Sequence, residues 1–297
     1  KFTKLLSPWK LVSQREIFIK GRKQFAIDTL GISCLDYLEL YKKFTYSNQE
    51  SYRLDHICNV ELGEKKLDHS EYDTFKEFYE NDWQKFIDYN IHDVRLVDKL
   101  DDKMKLIELA YTMAYDAKVN YEDVFSQVRM WDNYIYNELN KRKIAIPPKK
   151  EATKTEKYAG AYVKEPIPGF YDWVVSFDLN SLYPHLIMQY NISPETLEET
   201  RHPSASVEGI LNQKVKIDKE FATCANGAQY RKDEHGFLPE MMQKMYDSRV
   251  IFKKKMIKAK QQYEKTPTVE LTKEIARGNN IQMAKKISLN SAYGAIG

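Results

Sequence analysis

The residues that punctuate a chain are scarce here. Only 11 glycines and 10 prolines are spread over 297 residues, which argues against collagen-like, linker-rich or many-turned small β architectures. Cysteine is scarcer still: Cys34, Cys58 and Cys224 form an odd set without metal-type spacing. Neither a disulfide framework nor a zinc site is supported, and a reducing compartment is expected. No apolar run reaches the length of about 18 residues that a membrane span needs, and Lys1 to Lys10 holds no signal-peptide core. No membrane partner is therefore expected.

What is present is foldable. Hydrophobic residues make up 42% and charged residues 30%, with 21 Tyr and 13 Phe, far from the composition of disordered chains. The length suggests about two domains, or pieces of more. The chain opens at Lys1 rather than Met and stops at Gly297 within a helical pattern, so it is expected to be a fragment. Its net charge of +3 is unevenly placed: Arg231 to Lys286 holds 14 Lys and Arg against 7 Asp and Glu, which leaves −4 for the remainder. That segment reads either as a solvated helical surface or as a face that attracts polyanions.

Apolar spacing of three and four predicts helices over Ile32–Phe44, from near Asn81 and Asp82 through Val97 toward Leu109, and over Glu122–Lys141. Tyr46 to Leu67 is polar and mixed. Pro147, Pro148, Pro166 and Pro168 interrupt any regular element between Ile144 and Gly169, and a domain boundary is placed there. Trp173 to Phe177 reads as a buried strand, followed by a turn entering a helix at Pro184. A helical hairpin is predicted over Pro239–Tyr263 and Thr272–Tyr293 around Thr266-Pro267.

Four groupings could carry chemistry. Asp178 at the predicted strand end, followed by Leu179, Asn180, Ser181, Leu182, Tyr183 and Pro184, either caps the next turn or holds a divalent cation beside a phosphate. Arg249 and Lys253 lie one turn apart, as a wet basic face or as a polyphosphate clamp. Lys286, Asn290 and Tyr293 share one helical stripe, with Gly294 beyond it; a cation, an amide and a ring in line are unusual for a core helix and suit a nucleotide. Tyr89 and Asp93, again one turn apart, are either an ordinary surface pair or a metal ligand with a phenol that orients water.

Together these motifs resemble those of family B DNA polymerases. Asp178-Leu-Asn-Ser-Leu-Tyr-Pro is similar to the first palm motif, Lys286 to Gly294 to the fingers motif, and Tyr89 with Asp93 to the third exonuclease motif. Tyr158-Ala-Gly-Ala resembles the element between exonuclease and palm. The wording of Lys4–Lys10, Val163–Pro168 and Asn191–Thr196 is nearest to replicative polymerases of T-even-type tailed phages.

The resemblance implies an α/β and α+β multidomain fragment. Residues 1–105 would be the C-terminal part of a ribonuclease H-like 3′→5′ exonuclease domain and 106–149 a return segment to the N-terminal domain. Residues 150–235 would begin the palm with its β-sheet, and 236–297 would be the helical-hairpin fingers. It implies template-directed DNA synthesis with proofreading and two Mg2+ per active site, held in part by Asp178, the Leu179 carbonyl and Asp93. Ser181, Leu182, Tyr183, Arg249, Lys253, Lys286 and Asn290 would bind the incoming dNTP, Tyr183 excluding a ribose 2′-hydroxyl, while Tyr293 and Gly294 shape the base-pair pocket. Lys286 and Tyr89 would serve the two reactions beside the metal-binding carboxylates. The implied partners are primer–template DNA, dNTPs, a sliding clamp and other replisome proteins, in the cytoplasm of an infected bacterium.

Departures from the family pattern are visible. His185 stands where a small residue is usual, the second palm carboxylate motif is missing, and Asp28-Thr29 lacks the Asp-x-Glu form of the upstream exonuclease carboxylates. One carboxylate per site holds two ions poorly, so the 297-residue piece alone is predicted to be inactive. A non-catalytic nucleic-acid-binding scaffold of the same fold, or an RNA polymerase or reverse transcriptase, are the competing readings.

Overall fold

A computed structural model describes residues 2–19, 22–45, 47–146, 148 and 163–296. Its helices are α1 (Phe2–Leu6), α2 (Tyr37–Phe44), α3 (Leu54–Leu62), α4 (Phe75–Asn81), α5 (Trp83–Met104), α6 (Leu106–Ala117), α7 (Gln127–Lys141), α8 (Leu182–Gln189), α9 (Val207–Leu211), α10 (Phe237–Lys265) and α11 (Val269–Ile296). The described residues also hold two 3-10 turns, Tyr121–Phe125 and Pro194–Thr196, and two antiparallel hairpins, β1 (Val12–Ile19) with β2 (Arg22–Thr29) and β3 (Phe221–Thr223) with β4 (Gln229–Arg231). The described residues are mostly helical with small sheets. Among the described residues no helix is long and apolar enough to cross a membrane.

The chain forms two compact units, Lys1–Asn133 with Gln243–Gly297, and Tyr134–Met242.

In the first unit, α5 begins where the Asp82 carboxylate accepts the Lys85 backbone N–H at 3.0 Å. The cap satisfies one of the orphan donors that every helix start leaves. The helix was expected to run toward Leu109, but Lys105 takes a left-handed φ of 56° and a new helix, α6, starts at Leu106. The chain turns there, and α6 presents its own buried row of Leu109, Ala110, Met113, Ala114 and Ala117. The helix expected from Ile32 starts only at Tyr37, where the Asp36 side chain accepts the Leu38 N–H at 2.8 Å. Likewise Glu122–Phe125 lies in a 3-10 turn, and α7 begins at Gln127. Not expected from the sequence were α1, the β1–β2 hairpin, α3 and α4 in this unit, and α9 and the β3–β4 hairpin in the other. The β1–β2 hairpin pairs Val12 with Thr29 and Gln14 with Ile27.

The long hairpin of α10 and α11 matches the expected pair, each helix extending beyond its predicted bounds. Their close approach depends on Gly278, whose missing side chain leaves room for Met256: a Cβ there would lie 3.0 Å from the Met256 Cβ.

In the second unit, Asn191 acts as a knot. With φ at 54°, its amide donates to the Arg231 and Glu234 carbonyls at 2.6 and 2.8 Å and accepts from the Gly236 N–H at 2.9 Å. Its own carbonyl accepts the Thr196 hydroxyl at 2.6 Å. The buried residues Ser193 and Thr196 complete the turn, so a buried polar cluster is satisfied internally.

The expected buried strand at Trp173–Phe177 is not formed. These residues have no regular structure, Trp173 is 98% and Phe177 91% exposed, and the left-handed φ of 61° at Trp173 breaks an extended run. A strand apolar on both faces is stable only between paired neighbours and covering layers, and no strand among the described residues pairs with it.

Candidate functional site

Tyr89 and Asp93 project from successive turns of α5, as their spacing requires. Tyr89 is buried and Asp93 is half-buried. The structure adds a third member that sequence spacing did not reveal. Lys66, from the segment after α3, places its ammonium 2.6 Å from Asp93 Oδ2 and donates a hydrogen bond to the Tyr89 hydroxyl at 2.7 Å. The same ammonium lies 4.8 Å from the centre of the Tyr89 ring. The neighbouring backbone is fixed as well: the His92 ring Nε2–H donates to the Lys65 carbonyl at 3.0 Å, and the Lys66 N–H to the Asp55 carboxylate at 2.9 Å. Within Glu64-Lys65-Lys66 nothing in composition or spacing marks one lysine out.

Burial opposes the charge on Lys66, but its hydrogen bonds to Asp93 and Tyr89 outweigh that and hold its pKa above the ordinary lysine range. The other oxygen of Asp93, Oδ1, is buried and has no hydrogen-bond partner among the described residues. Lys66 and Tyr89 line a cavity of about 780 Å³ together with Arg53, Lys65, His69 and the carboxylates Asp55 and Asp68, while Asp93 is not among its lining residues. His69 packs between aromatic rings, with centroids 5.1 Å from Phe75, 5.7 Å from Phe78 and 5.2 Å from Tyr89. The result is a wall of rings beside a lining of mixed charge, the cations Arg53, Lys65 and Lys66 with the carboxylates Asp55 and Asp68.

On the α10–α11 hairpin of the same unit, Arg249 is half-buried and Lys253 exposed. Lys286 is half-buried, Asn290 is exposed and Tyr293 is 50% exposed, all on one side of α11. A Cβ at Gly294 would meet nothing within 4 Å, so open space adjoins the end of that stripe.

Asp178 belongs to the second unit. It is exposed and follows the irregular Trp173–Phe177 run instead of a strand. After it, Leu179 is 69% exposed, and Ser181 takes a left-handed φ of 52° at the N-cap of α8. The Ser181 carbonyl accepts both the backbone N–H of His185 at 3.1 Å and its ring Nδ1–H at 2.9 Å. His185 thus ties down the turn ahead of it, while Leu182 and Tyr183 stay partly exposed in the first turn of the helix. Tyr158 and its neighbours lie outside the described residues.

Neither carboxylate completes a two-magnesium centre. Among the described residues no group of three or more His, Cys, Asp or Glu side chains gathers as a metal site. Asp93, with its unpaired Oδ1, fits a single ligand position; Asp178 likewise contributes one hard oxygen donor where two ions need several.

Comparison with known proteins places these features in a family. Residues 126–297, which include Asp178 and the whole α10–α11 hairpin, match the model of DNA polymerase family B. The DNA-directed DNA polymerase of Escherichia phage RB69 is 36% identical over 292 residues, covering 98% of this chain and 31% of that protein. The DNA-directed DNA polymerase of Enterobacteria phage T4 is 36% identical over 237 residues, 80% of this chain and 26% of that protein. A DNA polymerase of Pyrococcus glycovorans is 34% identical over 142 residues, 48% of this chain and 15% of that one. The chain thus spans about a third or less of the length of these relatives. With the Asp178 segment and α11 both inside the matched stretch, this chain belongs to DNA polymerase family B.

Proposed function

We propose that the protein containing this chain carries out template-directed DNA synthesis, joining dNTPs to a primer 3′-hydroxyl with release of pyrophosphate, and that it proofreads with a 3′→5′ exonuclease. The observation that carries this reading is the family match over residues 126–297, the stretch that holds both the Asp178 segment and the Lys286, Asn290 and Tyr293 stripe.

In this reading the ribonuclease H-like, palm and fingers divisions are those expected above. Asp178 and the Leu179 carbonyl contribute ligands toward Mg2+, and Ser181, Leu182 and Tyr183 receive the triphosphate. Arg249, Lys253 and Lys286 hold its phosphates by point charge and guanidinium fork. Asn290, Tyr293 and Gly294 bound the base pair. Asp93 offers one metal ligand to the exonuclease reaction, Tyr89 orients the attacking water, and Lys66 holds the Asp93 carboxylate in place. Primer–template DNA and dNTPs are the direct partners, a sliding clamp and other replisome proteins the further ones, in the cytoplasm of an infected bacterium.

With one carboxylate at each place, the isolated 297-residue chain neither extends a primer nor degrades DNA. Primer extension tests both statements. Asp178→Ala in the complete protein should abolish nearly all incorporation, by orders of magnitude in kcat/KM; retained incorporation would replace the polymerase reading by that of a nucleic-acid-binding scaffold. Metal-dependent incorporation by the isolated chain would overturn its assignment as inactive.

A further inference from the structure

The end of α11 is held from behind by a polar anchor that the nucleotide reading does not use. We propose that Trp131 and Gln127, on α7, are positioning residues: they set the rotation of α11 about its own axis, so that Lys286, Asn290 and Tyr293 come to one side together. The proposal rests on the reading of that stripe as a dNTP-binding surface.

At about 100° per residue, Ser288 and Ser291 lie about 200° and 140° around the helix from Lys286, with Asn290 and Tyr293 within about 40° of it. The two serines therefore occupy the face opposite the stripe. Both meet α7 there. The indole N–H of Trp131 donates to the Ser288 carbonyl at 3.0 Å and lies 3.3 Å from the Ser291 hydroxyl. The Ser291 hydroxyl in turn has two acceptors for its one proton, the Gln127 side-chain oxygen at 2.8 Å on α7 and the Ser288 carbonyl at 3.0 Å on its own helix, the former the shorter. Trp131 is 1% exposed, so an indole N–H displaced from these acceptors has no water to turn to. The Gln127 amide nitrogen is buried with no partner among the described residues. A polar side chain kept at such a cost is held by what its oxygen does, which is to receive Ser291.

Apolar packing alone fixes the rotation of this helix weakly, because its buried apolar residues are small, Gly278, Ala284 and Ala292, with Leu289 the large one, and the rest of the buried face is polar, Asn280, Gln282 and Ser288. A slip of one residue would rotate every side chain by about 100°, carrying Asn290 and Tyr293 off the Lys286 side and stranding the indole donor. The neighbouring Lys285 adds a tether to a different helix, its ammonium 2.5 Å from Asp116 on α6.

The test uses the complete protein and steady-state incorporation of a single dNTP. Trp131→Phe keeps a ring and deletes the donor; it should raise KM for dNTP about tenfold with kcat held within about twofold. Ser291→Ala should do the same, Ser291→Thr should restore the wild-type KM, and the Trp131→Phe and Ser291→Ala pair should fall short of additivity because one network is cut twice. A purely structural anchor predicts instead a lowered unfolding temperature with unchanged KM, and that result overturns the proposal. Should Trp131→Phe fail to fold, Gln127→Leu, which removes the acceptor of Ser291 on α7 and leaves the one on α11 itself, decides between the same two outcomes through KM. Lys286→Ala is the control. If it raises KM while the α7 variants do not, the positioning role is wrong and the nucleotide reading survives; if it too leaves incorporation unchanged, the nucleotide reading of α11 fails and takes the positioning role with it.

Discussion

The ammonium of Lys66 stands 2.6 Å from one carboxylate oxygen of Asp93, while the second oxygen of that carboxylate is buried without a partner among the described residues. Asp93 is thus only half satisfied by the described residues. Removing Lys66 would leave a carboxylate only 22% exposed with no counter-charge, the costly way to break a pair.

Lys66→Met is accordingly expected to destabilise the protein by about 1.5–3 kcal/mol near neutral pH, the range for a hydrogen-bonded charge in partial burial. The pH dependence has a fixed sign. Lys66 is held above the ordinary lysine range, so it is protonated more strongly in the folded than in the unfolded chain. Its contribution is complete below the unfolded lysine pKa and is lost as pH rises through the folded one. Urea denaturation of wild type and variant should show a constant gap from neutral pH up to the lysine range and a narrowing gap only above it. A gap that widened with alkalinity would refute the pairing.

Tyr183 sits in the first turn of α8, 45% exposed, where a nucleotide sugar could lie against its ring. If it excludes a 2′-hydroxyl by contact, Tyr183→Ala should cut the preference for dNTP over rNTP by about tenfold or more, through faster ribonucleotide incorporation, because the discrimination is a steric penalty against the wrong substrate. Competition between dCTP and CTP in primer extension measures it. Unchanged discrimination would remove Tyr183 from the sugar gate and restore the ribonucleotide polymerase as a rival.

Asn191 concentrates the second unit's turn chemistry in one side chain. Asn191→Ala loses three side-chain hydrogen bonds and puts an ordinary residue at φ of 54°, so a loss of about 2–4 kcal/mol is expected. Asn191→Asp should be worse at neutral pH, since it turns a carboxylate oxygen toward the Arg231 and Glu234 carbonyls that now receive N–H donors. Thermal unfolding of the two variants ranks them; an aspartate variant as stable as wild type would contradict the assigned geometry.

Which parts of the fold and site are legible in the sequence follows from how local their causes are. The Asp82 cap, the turn of α5 carrying Tyr89 and Asp93, and the α10–α11 hairpin depend on residues within a few positions of each other, and spacing revealed them. Lys66 depends on a meeting across 27 positions with Asp93, and Trp131 on one across 157 with Ser288; no periodicity carries such information. The break at Lys105 was hidden because lysine is a good helix former that here takes a left-handed φ of 56° where α6 packs separately. The Trp173–Phe177 run failed for another reason. Its composition is that of a central strand, but strand composition expresses a demand for neighbours, and the described residues provide none.

Two glycines on α11 separate packing from function on a single helix. At Gly278 an added methyl would lie 3.0 Å from the Met256 Cβ, 3.4 Å from its Cα and 3.5 Å from its backbone nitrogen. Backbone atoms cannot step aside as a flexible side chain can, so Gly278→Ala must push α10 and α11 apart. The cost of about 1–3 kcal/mol for overpacking exceeds the gain of about 1 kcal/mol from helix propensity. At Gly294 the same methyl meets nothing within 4 Å, so Gly294→Ala should leave the unfolding temperature unchanged or raise it. If the base pair approaches the helix there, that neutral variant should nevertheless raise KM for dNTP several-fold, the pocket having lost the space that a bare backbone provides. Loss of incorporation without loss of stability at 294, beside loss of stability at 278, would place the nucleotide at the end of the Lys286 stripe. A Gly294→Ala protein with wild-type kinetics would remove Gly294 from the pocket.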